Sequence, residues 1–154
     1  MPAFSAGEGG TFTPSITADN WTLDADTAGD FCKVVSIGWG GRLNTATGYR
    51  TRWVRPSTAG VTSTAVFVLQ PHTPGYATAL CRVVQTWTTE PVLPTDPENL
   101  HSQDWNAFGG LGYIVMPLST PWWIVNGVLR SSISCRNVAG VDANGSGYTV
   151  TFEE

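Results

Sequence analysis

Few residues in this chain have the types and spacing to do chemistry. The clearest match is Asp142-x-Asn144-x-Ser146-Gly147-x5-Glu153, which puts oxygen ligands at the spacing of an EF-hand calcium loop. That loop needs a helix on each side, whereas Tyr148 to Phe152 alternates like a strand. A tight turn built of Asp, Asn, Gly and Ser explains the same letters. A β-loop calcium site through Asp142 and Asn144 is the weaker reading, and no cofactor is expected. Asp24-x-Asp26-x3-Asp30, with Asp19 upstream, is a second oxygen-rich segment. It lacks the ligand at the fifth position and the closing Glu, and it reads as a solvated turn.

Nucleophilic catalysis needs Ser, Cys or Thr beside a base that a third group orients. The two histidines are His72, in the turn-like Gln-Pro-His-Thr-Pro-Gly, and His101, three residues before Asp104. No GxSxG or comparable motif accompanies them. Cys32, Cys81 and Cys135 are too scattered for a zinc or redox motif and read as small core residues on strands. Asp96, Glu98 and Asp104 are the clustered carboxylates, but they fall in an irregular stretch, a poor frame for two carboxylates at the fixed separation glycoside hydrolysis needs. A non-enzymatic protein is therefore expected.

The seven tryptophans suggest binding instead. Trp105, Trp122 and Trp123 are candidates for a flat sugar-stacking platform. Adjacent Trp122 and Trp123 point to opposite faces of a strand, so only one of them can line a given surface.

The elements that must position these residues are strands. Thr, Val, Gly, Trp and Tyr recur, and no useful window has apolar residues at helical spacing. The expected strands cover 11–17, 31–39, 48–55, 63–70, 78–88, 113–118, 122–125, 128–135 and 147–152. Tyr49, Thr51 and Trp53 alternate with Arg50 and Arg52, as a half-buried strand requires. Phe31, Val35, Ile37 and Trp39 are read as sharing one face. Asn126-Gly127 between PWWIV and VLRSSISC predicts a two-residue β-hairpin. Many short strands between Gly, Pro and Asn turns imply an all-β single domain, a sandwich, barrel or jelly roll. Residues 1–30 read as an extended N-terminal arm and residues 31–154 as the folded body. The body includes a long irregular loop over 89–112, with four acidic residues and three prolines.

Composition narrows the partner. The chain has 154 residues, enough for one core, yet only 13% of them are charged, about half the usual share. One lysine against seven arginines, together with the tryptophans, favours a surface covered by partner proteins. A net charge of −4 argues against nucleic acid as the ligand. The local basic cluster Arg50, Arg52 and Arg55 reads as a solvated or subunit-facing strand surface. No stretch is long and apolar enough for a membrane span, and MPAFSAGEGGTFTPS has no secretory character. Synthesis in the cytoplasm is expected, and the glycosylation patterns at Asn20 and Asn144 read as chance.

The arm GEGGTFTPSITADNW, the strand GYRTRWVRP and the hairpin PWWIVNGVLRSSISC give the chain a style that resembles small virion proteins of tailed bacteriophages, above all capsid decoration, or cement, proteins. The resemblance implies a β-rich or jelly-roll subunit, a homotrimer, and docking on the major capsid protein or other virion proteins. It further implies that Phe4, Phe12 and Trp21 clasp the shell or a neighbour, that Arg50, Arg52 and Arg55 meet acidic partner surfaces, and that Trp105 joins a subunit contact. A head-tail or tail component and a carbohydrate-binding β-sandwich are the alternatives.

Overall fold

The computed structural model describes residues 2–7, 15–25, 27, 29–41, 47–75, 78–94, 99–106, 108–125, 131–139 and 146–154. Twelve strands are found among them: β1 (Ala3–Gly7), β2 (Trp21–Ala25), β3 (Phe31–Gly41), β4 (Gly48–Val54), β5 (Val61–Val66), β6 (Gln70–Pro71), β7 (Cys81–Thr89), β8 (Asn99–Asn106), β9 (Leu111–Val115), β10 (Trp122–Val125), β11 (Ile133–Ala139) and β12 (Ser146–Glu153). No helix long and apolar enough to cross a membrane occurs among the described residues.

The strands form two six-stranded sheets packed as a β-sandwich. Sheet A has the order β10-β3-β12-β1-β6, and sheet B the order β5-β7-β2-β11-β4-β8. β9 also pairs with β3. β10 lies along Phe31–Val34 and β9 along Ser36–Gly40, so the two short strands share one edge of β3 end to end.

Alternation sorts side chains between the core and the two outer faces. From sheet A, Phe4, Val34, Ile37, Ile124, Val150 and Phe152 point inward; from sheet B, Trp21, Leu23, Trp53, Val83 and Ile133 meet them. Truncating a buried residue such as Leu23 or Ile133 to Ala removes about 2–5 kcal/mol of stability.

Four expectations need correction. The first concerns Phe31, Val35, Ile37 and Trp39, which do not share a face. Val34 and Ser36 oppose the consecutive residues Phe152 and Thr151, so Val35 is the extra residue of a β-bulge. The bulge resets the alternation: Cys32 and Val34 point inward before it, Ile37 and Trp39 after it, and Phe31 is exposed.

The second correction concerns the predicted hairpin. β10 pairs with β3 in sheet A, while β11 lies between β2 and β4 in sheet B. Burial of Ile124 in one sheet and of Ile133 and Cys135 in the other outweighs the local turn preference; Asn126 and Gly127 lie outside the described residues.

The third concerns the N-terminal arm. β1 pairs with β12 and β6, and β2 lies between β7 and β11. Their apolar alternation, Phe4 with Ala6 and Trp21 with Leu23, inserts them into the core.

The fourth concerns the loop over 89–112, which contains β8 on β4 and the start of β9 on β3. Its polar letters are those of an edge strand with one wet face, His101, Gln103 and Trp105 alternating with Ser102, Asp104 and Asn106. Of the expected strand over 11–17, residues 15–17 are not strand and the rest is outside the described residues.

Candidate functional site

The two outer faces of the sandwich are built differently. On sheet A, the outward positions are Ser36, Gly38 and Gly40 of β3, Thr149 and Thr151 of β12, and Ala3, Ser5 and Gly7 of β1. They pave a floor of small residues. Along its edge β9 raises Leu111, Tyr113 and Val115, which are 85%, 63% and 63% exposed, and β10 adds Trp123 and Val125. Phe31 lies 6.4 Å from Trp123, and Leu118 stands fully out. Floor and ridge enclose an open trough of about 460 Å³, lined by Gly38, Gly40, Gly112, Tyr113, Gly147 and Thr149.

The glycine at 38 is a packing requirement. A Cβ there would lie 2.6 Å from the Thr149 Oγ1 and 3.2 Å from the Tyr113 ring. The ring is held by its hydroxyl, which donates to the Ser36 Oγ at 2.7 Å. Lys33 and Glu153 are the charged residues among the described outward strand positions of this sheet, and they pair with each other at 2.9 Å. Beside them a smaller pocket of about 140 Å³ opens between β9 and β10, lined by Val35, Val115, Met116, Leu118 and Pro121.

Sheet B also exposes Val61 and Val66 on β5 and Val138 on β11, but it carries charged groups that are tied to one another. Arg136 donates to Asp19 at 2.7 Å and to the Pro91 carbonyl at 3.0 Å. Asp19 also accepts from the Thr22 hydroxyl, and Glu90 accepts the Asp19 amide. Burial pushes the Asp19 carboxyl above its ordinary value despite the opposing pull of Arg136. Arg82 pairs with Asp24 at 3.0 Å and lies 5.5 Å over the Trp87 ring. Between the sheets, the Asn137 Oδ1 accepts from Asn20, Thr51 and Tyr148. Asn20 is fully buried, which removes it as a glycosylation site.

Arg50 and Arg52 share the outward face of β4, as alternation requires. Arg50 makes a two-pronged contact with Asp104 on β8, at 2.6 and 3.1 Å, which holds the arginine above and the carboxyl below their ordinary values. Arg52 lies opposite Arg136 and Ser102. Arg55 leaves this surface: its guanidinium donates to the carbonyls of Ser131 and, on sheet A, Trp123, and burial lowers its pKa. It staples one sheet to the other, a correction to its expected role of meeting a partner.

Phe4 and Trp21 are each 2% exposed, which leaves neither ring for a shell or a neighbour. Phe4 stacks on Phe152 inside the core. Trp105 faces inward too, stacked on Tyr49 at 4.7 Å, edge-on to Tyr148, and donating to the Thr51 hydroxyl. Phe12, Asp142 and Asn144 lie outside the described residues. Glu153, the closing residue of the calcium-like spacing, is the partner of Lys33.

The catalytic candidates do not converge. His101 points inward beside Trp53 and Trp39, at 5.4 and 6.3 Å, with its pKa lowered by burial, whereas Asp104 points outward to Arg50. Asp96 and Glu98 lie outside the described residues. Among the described residues, no three His, Cys, Asp or Glu gather to hold a metal. Trp122 and Trp123 do take opposite faces, with Trp122 against the core and Trp123 outward.

The surface that sequence reasoning missed is the sheet A face. Its ridge was visible as the alternation Leu111, Tyr113, Val115; its floor was not, because glycines and threonines give no sign of which strands will lie side by side. Comparison with protein-family models, curated proteins and solved structures finds no match.

Proposed function

We propose that this chain is a non-enzymatic structural protein that acts by assembly, binding and stabilising a viral capsid as a decoration protein, and that it does so as a homotrimer whose subunits meet through the outer face of sheet A. The observation that supports this reading is the exposed apolar ridge Leu111, Tyr113 and Val115 beside a floor of small residues. A contiguous exposed apolar surface of this kind is a mark of a docking site.

A second copy fits the face on two counts. Its charges cancel in the Lys33–Glu153 pair, so the ridge of one chain can enter the floor of the next around a threefold axis, a heterologous contact that closes as a trimer, without charge repulsion there. Its size is adequate as well. β3 has 11 residues, about 36 Å at roughly 3.3 Å each, and four rows of strands span about 15–19 Å. The other rows are shorter, β12 with 8 residues and β1 with 5, so the face is roughly 500 Å² in plane, a large part of the roughly 800 Å² that one partner gives a standard interface.

Static light scattering tests the reading. The wild-type protein should have three times the 16.5 kDa chain mass, and Val115→Lys that of a single chain. A wild type of single-chain mass at every concentration, or a Val115→Lys protein of unchanged mass, would refute it.

A carbohydrate-binding reading retains one supporting observation, the outward Trp123 with Phe31 beside it. Saturable glycan binding lost in Trp123→Ala would favour it over assembly.

A further inference from the structure

Cys32 is the second residue of β3 in sheet A and Cys81 the first of β7 in sheet B, and both point into the core, 0% and 1% exposed. Facing sheets lie about 10 Å apart, more than the roughly 4.4–6.8 Å between Cα atoms that a disulfide spans. These two residues sit where that gap closes. Ala25, the end of β2, is the registered partner of Cys81, and the chain crosses from there to β3 within residues 26–30. The crossing is cinched by a turn in which Asp30 receives the Thr27 amide on its carboxylate and donates its own amide to the Thr27 carbonyl.

The C-terminus gives a second, independent measure of the approach. Glu153 is registered with Lys33, which puts Glu154 level with Cys32 in sheet A. From there the Glu154 carboxylate reaches into sheet B and accepts the amides of Cys81 at 2.6 Å and Leu80 at 2.9 Å. At this corner the neighbouring Cys81 thiol and burial hold the Cys32 thiol well above its ordinary pKa. Both are reduced in this structure.

We infer that Cys32 and Cys81 are a disulfide pair, closed by a small disulfide oxidant such as oxidised glutathione, and that the bond locks the corner where the sheets join. Both thiols are closed to solvent in the folded chain, so the oxidant reaches Cys81 when the start of β7, beside exposed Leu80, opens. The Cys81 thiol loses its proton and attacks one sulfur of the oxidant, forming a mixed disulfide and expelling one glutathione thiolate. Cys32 then loses its proton and attacks the Cys81 sulfur, expelling the second. The protein gives up two electrons and two protons, and the oxidant leaves as two thiols.

The pairing is selective. Cys135 is registered with Trp21, four residues along β2 from the partner of Cys81, or about 14 Å at roughly 3.4 Å per residue. It lies instead against the Asn20 amide at 3.8 Å.

The experiment uses the full chain, incubated with oxidised glutathione and then alkylated under denaturing conditions. The expected product has lost two hydrogen atoms, retains one alkylatable thiol, Cys135, and yields a cross-linked peptide joining Cys32 to Cys81. Closing so long a loop should raise Tm by about 10 °C relative to reduced protein, a rise that Cys135→Ala keeps and Cys81→Ser abolishes. Because the peptide map reads the wild-type chain, the test does not depend on a variant folding. Three alkylatable thiols after prolonged oxidation, a lasting glutathione adduct, or a link through Cys135 or a second chain would overturn the pairing.

Discussion

The outer faces of the two sheets divide the work of a small protein between them. On sheet B, charges are present and engaged within the chain: Arg136 with Asp19, Arg82 with Asp24, Arg50 with Asp104. On sheet A, among the described residues, the ion pair of Lys33 with Glu153 interrupts a surface of Gly, Ser, Thr and exposed Leu, Tyr, Val and Trp. A face whose polar groups answer one another inside the chain asks nothing of a partner. A face with a raised apolar edge is stabilised only when something covers it. The contrast explains how a chain with so little charge organises its surface, and it is the ground for proposing sheet A as the assembling face.

The largest effect that would break this contrast is on sheet B. Arg136→Ala leaves the Asp19 carboxylate buried without its cation, and removing one partner of a buried pair costs about 3–5 kcal/mol. Urea unfolding should show a loss of that order. A loss under about 1 kcal/mol would mean that Asp19 takes up a proton or water instead and that the network is not what holds β11 to the segment before β2.

A smaller effect concerns the interior between the faces. Burial lowers the His101 pKa from 6.5, so the folded state favours the neutral imidazole among Trp39 and Trp53. A depressed pKa means that stability is held above the ordinary histidine value and lost as pH falls through the lowered one. Between pH 7.5 and 5.5 the wild type should therefore lose more stability than His101→Phe, as measured by denaturant midpoints at each pH. Equal losses would show that the ring is solvated when protonated.

The smallest stability change is expected at the ridge. Val115→Lys replaces a side chain that is 63% exposed and should alter the unfolding free energy of the isolated chain by less than about 0.5 kcal/mol. If it unfolds the chain, the ridge belongs to the fold and not to a contact.

How much of this was legible in the sequence depended on whether a signal was local. Alternation in Tyr49, Thr51 and Trp53 correctly placed β4, with its arginines outward, because period two is carried by neighbouring letters. The burial of the three cysteines was expected from their scatter and apolar character, and the opposite faces of Trp122 and Trp123 followed from alternation. The arm, the hairpin and the long loop were misread because each is decided by partners distant in sequence. β1 is fixed by β12 at the other end of the chain, and β8 by β4 some fifty residues earlier. The bulge at Val35 shows the same limit within one strand, since an extra residue is visible only against Phe152 and Thr151. The sheet A face was hidden for a related reason: Gly38 and Thr149 become one floor only once β3 and β12 are seen to pair.

Hydrogen–deuterium exchange on the wild-type protein and on Val115→Lys decides whether sheet A is the assembling face. Edge amides of β9 and β10 should be protected in the wild type and released in the variant, while β4 and β11 of sheet B exchange alike in both. Equal exchange of β9 in the two proteins, or a change confined to sheet B, would contradict it.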